Sequence, residues 1–360
     1  MKAIIGFFIF ILSFGFYRSY GQDIDFIKPK FAEPISCKRS SSLLFQSDSV
    51  VDIQVVTNFK RFNAIGYDEK IYVPATISYF NDDSTYVTLN VKIRPRGHYR
   101  RQKDVCRMPP ILVNFKKSEV DQTLFRGQNK LKLVTHCRLK KSDEENLLSE
   151  YLAYKIYNSL TPFSYKVRLL NIKYIDSSGI SKTLVRHGFF IESVSEFEKR
   201  NCVSFVNLAN IHQESVDSFQ MTLISIFQYL IGNTDWSVAA RHNIDLFVGN
   251  PSQPLIPVTY DFDFSGLVDA AYAQPQPMLG IHHVTDRLYR GYERTGREFY
   301  SVLDLFNKQH KLILDLSNDL PFPFLVEKSR KLKYLEQFYN EIQNPTIVKR
   351  VFFDGSRKIQ

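Results

Sequence analysis

The chain has 360 residues, 44% of them hydrophobic and 23% charged, and its formal net charge is +10 at pH 7. This apolar fraction excludes an intrinsically disordered protein, and the length allows one large domain or two small ones. The basic balance is compatible with contacts to polyanions, including nucleotide phosphates, but does not by itself select them.

The first segment of the sequence has the features of a secretory signal peptide, over residues 1–21. Lys2 precedes a nearly unbroken apolar run at residues 4–16, and small residues precede Gln22. The run is shorter than the roughly 20 apolar residues that a bilayer span requires. We therefore expect export to the periplasm, the cell surface or the extracellular space, with no membrane contact after signal cleavage. An uncleaved membrane anchor is the alternative.

After an irregular lead-in at residues 22–48, the sequence predicts a β-rich region at residues 49–192 with one embedded helix. Alternating apolar residues predict strands at residues 50–56, 71–79, 86–93, 111–115, 131–134, 167–175 and 183–191. Residues 49–135 are expected to form an antiparallel sheet. Ser142 and Glu145 have the spacing of a capping box, which predicts the start of the embedded helix.

Residues 193–360 are predicted to be mainly helical. Apolar residues recur at helical spacing at residues 220–231, 303–316 and 324–342. Two short strands are expected within this part, at residues 244–248 and 255–260. The sequence thus predicts an α+β protein of two lobes, a β-rich one followed by a mainly helical one.

Two polar residues follow the predicted helix 220–231. Asp235 lies in the loop directly after it, and Asn243 comes eight residues later. Phosphoryl transfer to a hydroxyl requires a carboxylate that orients the hydroxyl and accepts its proton, and Asp235 is predicted to supply it. Asn243 is predicted to bind a divalent metal ion. The alternatives are a solvated turn residue for Asp235 and a plain turn residue for Asn243.

Asp261 and Asp263 follow the apolar strand predicted at residues 255–260. Two acids at the end of a buried strand are costly unless a cation or hydrogen-bond donors receive them. Alternation along a strand would place both on one face, and Mg²⁺ or Mn²⁺ accepts a few such oxygens while leaving positions for phosphate. Both residues are therefore predicted metal ligands, although Asp263 could instead cap a turn.

One lysine and one glutamate of the first lobe have the arrangement found in protein kinases. There, a strand lysine pairs with a glutamate of the next helix and contacts ATP. Lys132 lies in the strand predicted at residues 131–134, and Glu150 lies in the embedded helix. We predict that this pair contacts ATP, with Lys130 and Glu145 as rival candidates.

Two further residues are predicted to contact the nucleotide. Arg96 belongs to a basic turn at residues 94–101 that could cover phosphates with guanidinium groups and Gly97, although a plain basic hairpin is the alternative. Glu192 follows the strand 183–191 and is predicted to face an adenine, unless it is a satisfied surface residue. Nucleic acid is not an expected partner, since Tyr99 alone adds an aromatic side chain to the basic turn.

The four cysteines allow disulfides in an exported protein. Cys106 and Cys137 are the predicted pair, because both lie in the strand-rich first half. A zinc site that includes His136 is the alternative, but the sequence lacks the C-x-x-C spacing typical of structural zinc.

Over roughly residues 90–270 these motifs, in this order, resemble the CotH family of spore-coat-type atypical protein kinases. The resemblance rests on Arg96-Gly97, Glu150-Tyr151-Leu152-Ala153-Tyr154, residues 188–192, Asn233-x-Asp235-x₆-His242-Asn243 and Asp261-Phe262-Asp263. It implies a divergent bilobal protein-kinase-like fold that uses ATP with Mg²⁺ or Mn²⁺ to phosphorylate Ser or Thr of secreted or surface proteins. By position, it implies that Asp235 is the acid–base residue and that Asn243 and Asp261, with Asp263 less directly, bind the metal.

The sequence departs from the family's pattern in the basic turn. The family's Arg-Gly-Asn-Ser-Ser is here Arg96-Gly97-His98-Tyr99-Arg100, without the small hydroxyl residues. A catalytically inactive kinase-like scaffold that binds a surface protein or glycan is therefore an alternative. A haloacid-dehalogenase-type phosphatase, suggested by Asp261-x-Asp263 after an apolar strand, is disfavoured because its motif belongs near the start of the fold.

Overall fold

The structure is a computed structural model that describes residues 41–81 and 83–358. The predicted signal peptide, residues 1–21, and most of the predicted lead-in lie outside these residues. None of the helices in the described part of the chain combines the length and the apolar content that a membrane span requires.

The described residues form ten strands and eight α-helices. The strands are β1 (Val51–Thr57), β2 (Val73–Phe80), β3 (Tyr86–Pro95), β4 (Ile111–Phe115), β5 (Lys130–Thr135), β6 (Val167–Asp176), β7 (Leu184–Ile191), β8 (Ser204–Val206), β9 (Ile244–Val248) and β10 (Ile256–Thr259). The helices are α1 (Phe59–Asn63), α2 (Lys117–Val120), α3 (Lys141–Leu160), α4 (Val194–Asn201), α5 (Ser218–Leu230), α6 (Gly296–Asp319), α7 (Leu325–Ile342) and α8 (Pro345–Val348).

Strands β1–β7 close into a barrel in the order β1-β2-β3-β4-β5-β7-β6. Neighbouring strands are antiparallel except at the closure, where β1 runs parallel to β6 and Ile53 lies opposite Ile172. The interior is filled by alternate apolar residues such as Val55, Ile77 and Phe190. Closure pairs both ends of the sheet, so that neither β1 nor β6 presents an open edge.

The prediction of a bilobal protein-kinase-like fold was wrong, although the α+β class is confirmed. The first seven strands form a closed mixed barrel, and the second part is not simply a helical lobe, because β8, β9 and β10 form a separate antiparallel sheet. Alternating apolar residues identify the buried face of each strand, but they do not identify the partner of a strand at the end of a sheet. The parallel pairing of β1 with β6 was therefore not predictable from the pattern.

Helix α3 is buried on most of its surface and packs against β7 and α6. The predicted helix is present, but its predicted capping box is not. The helix begins at Lys141, and Lys140 at the N-cap makes no side-chain cap hydrogen bond. Burial of residues such as Leu148, Leu152 and Tyr157 stabilises this helix in place of a polar cap.

The predicted disulfide between Cys106 and Cys137 is confirmed, with their Cα atoms 4.7 Å apart. It connects the loop after β3 to the segment between β5 and α3. Both sulfurs are used in this bond, so the alternative zinc site with His136 is not formed.

Replacing both cysteines, as Cys106→Ser with Cys137→Ser, should lower the free energy of unfolding by about 2–4 kcal/mol, because the bond closes a long loop in the unfolded chain. The two positions are 31 residues apart. Denaturant titration without reductant measures this difference. A double variant as stable as the wild type would show that the bond contributes nothing to stability.

Candidate functional site

A cleft of about 440 Å³ lies where the basic loop after β3 faces the loops that follow α5 and β10. All eight predicted site residues line it. They are Arg96, Lys132, Glu150, Glu192, Asp235, Asn243, Asp261 and Asp263. Residues that are up to 167 positions apart in the sequence (263 − 96) thus meet in one cavity.

Asp235 is oriented by the loop that follows α5. The chain turns at Gly232, where φ is +64°, and the side-chain Oδ1 of Asn233 accepts the Asp235 N–H at 2.9 Å. The Asp235 carboxylate accepts hydrogen bonds from His242 Nε2 at 2.7 Å, taken as the protonated ring nitrogen, and from Asn243 Nδ2 at 3.1 Å. One quarter of its side chain remains exposed to the cleft. The turn expected at the helix end is present, and it holds the carboxylate in a fixed position.

Asn243 joins the two loops that carry the acids. Its Nδ2 donates to the backbone oxygen of Asp235 at 2.8 Å, as well as to the carboxylate, and its own carbonyl oxygen accepts from Tyr260 N at 3.1 Å. This juxtaposition follows from the pairing of β9 with β10, in which Ile244 lies opposite Thr259. Within the described residues no hydrogen bond engages Asn243 Oδ1, so that oxygen is free to bind a cation.

Asp261 and Asp263 both line the cleft, although not through strand alternation as predicted. Strand β10 ends at Thr259, and Asp261 has a left-handed backbone with φ +62°. The hydroxyl of Tyr154 accepts the Asp261 N–H at 2.9 Å and supports this conformation. Phe262 is fully buried between them, so that a tight turn directs the two carboxylates to the same cavity.

Several carboxylates lie close together in a part of the cleft that is poorly hydrated. Burial raises the pKa of Asp263 to about 7, and the charges of Asp261 and Asp235 add to this, while Arg100 and the hydroxyl of Tyr272 oppose it. Tyr272 donates to Asp263 Oδ2 at 2.8 Å. The pKa of Glu150 is likewise raised, first by burial and then by Asp263. Too few positively charged groups lie beside these carboxylates for all of them to be ionised without a cost in free energy.

The donor atoms fit a magnesium-type ion. Asp261, Asp263 and Asn243 supply carboxylate and amide oxygens, which are the ligands that Mg²⁺ prefers, and Mg²⁺ usually completes its shell with water and phosphate. Among residues 41–81 and 83–358, no three His, Cys, Asp or Glu side chains form a group that could hold a metal alone.

Two cationic side chains also line the cleft. In the described part of the chain the Arg96 guanidinium makes no hydrogen bond or ion pair, and the Lys132 ammonium lies 5.3 Å from the centre of the Tyr260 ring. Burial, and then the charge of Arg96, lower the pKa of Lys132. Both groups are thus available to an anionic ligand.

The predicted pairing of Lys132 with Glu150 was wrong. Glu150 Oε2 instead lies 3.6 Å from Arg100 Nη1, and the rivals Lys130 and Glu145 do not line the cleft. Arg100 also donates to the backbone oxygen of Thr135, which holds its guanidinium above the helix. The basic loop, rather than the strand, therefore supplies the partner of the buried glutamate.

The Glu192 carboxylate is fully engaged in a structural ion pair. It accepts from Arg200 Nε and Nη2, both at 2.8 Å, and from Lys166 N at 3.0 Å. Its exposed fraction is 2%, so the alternative of a surface residue was also wrong. The side chain is not available to an adenine, because its oxygens already have partners.

Several residues of the site were missed or left without a role by sequence reasoning. Arg100 was included only as part of the basic turn, and His242 only as part of a motif. Tyr154 was likewise included only as part of a motif, and Tyr272 had no signal, since a tyrosine that orients a carboxylate looks like any core aromatic. The rings of Tyr99, Phe264 and Tyr272 lie 5.5–5.8 Å apart and join the basic loop to the acidic segment.

In comparison with known proteins, no protein-family model matches the chain, and no curated protein matches it either. The resemblance of its motifs to the CotH family therefore stays a prediction.

In metal-free protein, Asp263→Asn should be more stable than the wild type at about pH 8 by roughly 2–4 kcal/mol, because the variant avoids ionising a buried acid. The pKa of Asp263 is higher in the folded than in the unfolded state, so wild-type stability rises as the pH falls through 7. The difference should therefore shrink towards about pH 5. Denaturant titrations with a chelator measure it.

The matched control is Asp315→Asn, which removes an exposed carboxylate on α6. It should change stability little at either pH. An Asp263→Asn effect that is equal at both values would contradict the raised pKa.

Proposed function

We propose that the protein transfers the γ-phosphoryl group of ATP to a Ser or Thr hydroxyl of secreted or surface proteins, with a divalent metal ion. The observation that supports this most strongly is that one cleft is lined both by the carboxylates of Asp235, Asp261 and Asp263 and by the cations Arg96 and Lys132. Phosphoryl transfer depends on positioning and on the neutralisation of phosphate charge, and these two sets of side chains can supply both.

Asp235 is the proposed acid–base residue. Its carboxylate orients the acceptor hydroxyl and takes its proton as the hydroxyl oxygen bonds to the γ-phosphorus. The bond from that phosphorus to the β–γ bridging oxygen breaks, and ADP leaves. His242 and Asn243 fix the carboxylate so that one partly exposed face remains for the hydroxyl.

The other residues of the cleft are assigned to binding the metal ion and the phosphates. Asn243 Oδ1, Asp261 and Asp263 would hold the metal ion, which when bound neutralises phosphate charge and orients the phosphoryl group. Arg96 and Lys132 bind phosphate oxygens through their unpaired cationic groups. Arg100 weakens the repulsion between Glu150 and Asp263. This permits the two carboxylates to lie close together.

Export is part of the proposal. The signal-peptide pattern supports it, and the disulfide between Cys106 and Cys137 is compatible with an oxidising compartment. A protein substrate outside the cytoplasm follows from that location.

Replacing the proposed acid–base residue, as Asp235→Asn, should lower phosphoryl transfer by about 10²–10⁴-fold, since that is the usual contribution of a positioned general base. Nucleotide affinity should change only a few-fold, because Asp235 contacts the acceptor. Autophosphorylation, followed by mass spectrometry with Mg²⁺ and ATP, measures the rate, with Asp315→Asn as the control.

A wild-type protein that binds Mg²⁺–ATP without any transfer would exclude catalysis and favour the alternative, a binding protein for a surface protein or glycan. Transfer that survives Asp235→Asn at the wild-type rate would remove Asp235 from the mechanism.

Replacing the proposed metal ligand, as Asp261→Asn, should abolish the Mg²⁺-dependent part of ATP binding while leaving the fold intact. Asparagine tolerates the left-handed backbone at this position, so the variant tests charge rather than strain. Calorimetric titration of ATP with Mg²⁺ and with chelator measures the effect, and circular dichroism checks folding. Undiminished Mg²⁺–ATP affinity would exclude Asp261 as a ligand.

A further inference from the structure

A second cavity lies beside the basic loop that lines the active cleft. This basic groove has a volume of about 370 Å³, and none of its lining residues is acidic. Its cations are Arg101, Lys103 and Arg107, and the rest of its wall is mainly apolar, with Phe62 and Ile65 beside the polar Asn63. The proposed phosphoryl transfer uses none of these residues.

Arg101 is held in place before any ligand arrives. Its Nη2 donates to the backbone oxygens of Gly66, at 2.6 Å, and of Glu69. Its Nε is buried and has no hydrogen-bond partner among the described residues. A fixed guanidinium with a buried free donor is costly unless an acceptor reaches it.

Arg107 is also on a rigid backbone. Its N–H donates to the carbonyl oxygen of Cys137 at 3.0 Å, and the preceding residue, Cys106, is bonded to Cys137 through the disulfide. The side chains of Arg107 and Lys103 are exposed and make no ion pair or hydrogen bond in the described part of the chain. One loop thus carries a guanidinium that hydrogen bonds hold in place, that of Arg101, and two exposed cations, an arrangement that favours anion binding.

Neither Glu69 nor Asp104 is paired with a cation of the groove. Glu69 Oε2 accepts the Gly66 N–H, and neither Glu69 nor Asp104 forms an ion pair with the three cations within 4.0 Å. A ligand with two negative charges and several acceptor oxygens matches this cluster better than a single carboxylate does. The apolar wall suits the side chain next to such a group in a peptide.

We propose that the basic groove binds a phosphoryl group already present on a protein segment. The inference rests on the proposed function for the source of that phosphate, namely an earlier transfer to the same substrate. One loop contributes Arg96 and Arg100 to the active cleft and Arg101, Lys103 and Arg107 to the groove. Binding of a phosphorylated segment therefore places the rest of that substrate near the site of the next transfer.

The test is direct binding, without nucleotide, of a fluorescent peptide with one phosphoserine and of its unphosphorylated serine twin. The phosphorylated peptide should bind the full chain at least about tenfold more tightly, and Lys103→Gln with Arg107→Gln should remove at least about tenfold of that affinity. Inorganic phosphate should compete with it.

The matched control, Arg126→Gln with Lys182→Gln, removes two exposed cations that do not line the groove. Equal affinity for the two peptides, or an equal loss in the control, would overturn the inference. So would a loss in Arg96→Gln with none in the groove variant, since binding would then belong to the active cleft. Because no nucleotide is present, these outcomes are independent of whether the protein transfers phosphate.

Discussion

Mutual repulsion of carboxylates in a largely buried cleft is the constraint on which the rest of the site depends. Burial raises the pKa of Asp263 and of Glu150, the charge of Asp261 adds to both shifts, and Arg100 is the cation that opposes both most strongly. Such a group persists because neutral donors and a partly protonated state share the cost. Binding of a cation would relieve the same repulsion.

Hydrogen bonds from several elements, rather than large numbers of ion pairs, hold these crowded carboxylates in position. The hydroxyl of Tyr154 fixes the backbone of Asp261, and that of Tyr272 caps Asp263. Asn243 ties the loop after α5 to the end of β10. Because Tyr154 belongs to α3 and the other contacts to the second half of the chain, the positions of the carboxylates depend on how these two parts pack together.

The basic loop after β3 connects three features. Its first residues line the cleft, its last residues line the basic groove, and the disulfide at Cys106 attaches it to the segment before α3. Aromatic contacts of Tyr99 then join it to the acidic segment. The loop is therefore a fixed structural element, although its composition alone would also suit a mobile basic hairpin.

The sequence by itself determined most of the strands and helices and the polar residues that line the cleft. Local periodicity located β1 to β7, and oxygen-bearing residues at the ends of apolar runs identified Asp235, Asn243, Asp261 and Asp263. The tertiary structure determined which strands pair with each other. The barrel that β1 and β6 close therefore replaces the expected bilobal fold. The tertiary structure also determined the ion pairs: Glu150 pairs with Arg100, and Glu192 pairs with Arg200. The physical reason is that burial patterns are local, whereas strand pairing and charge pairing depend on which distant residues the packing brings together.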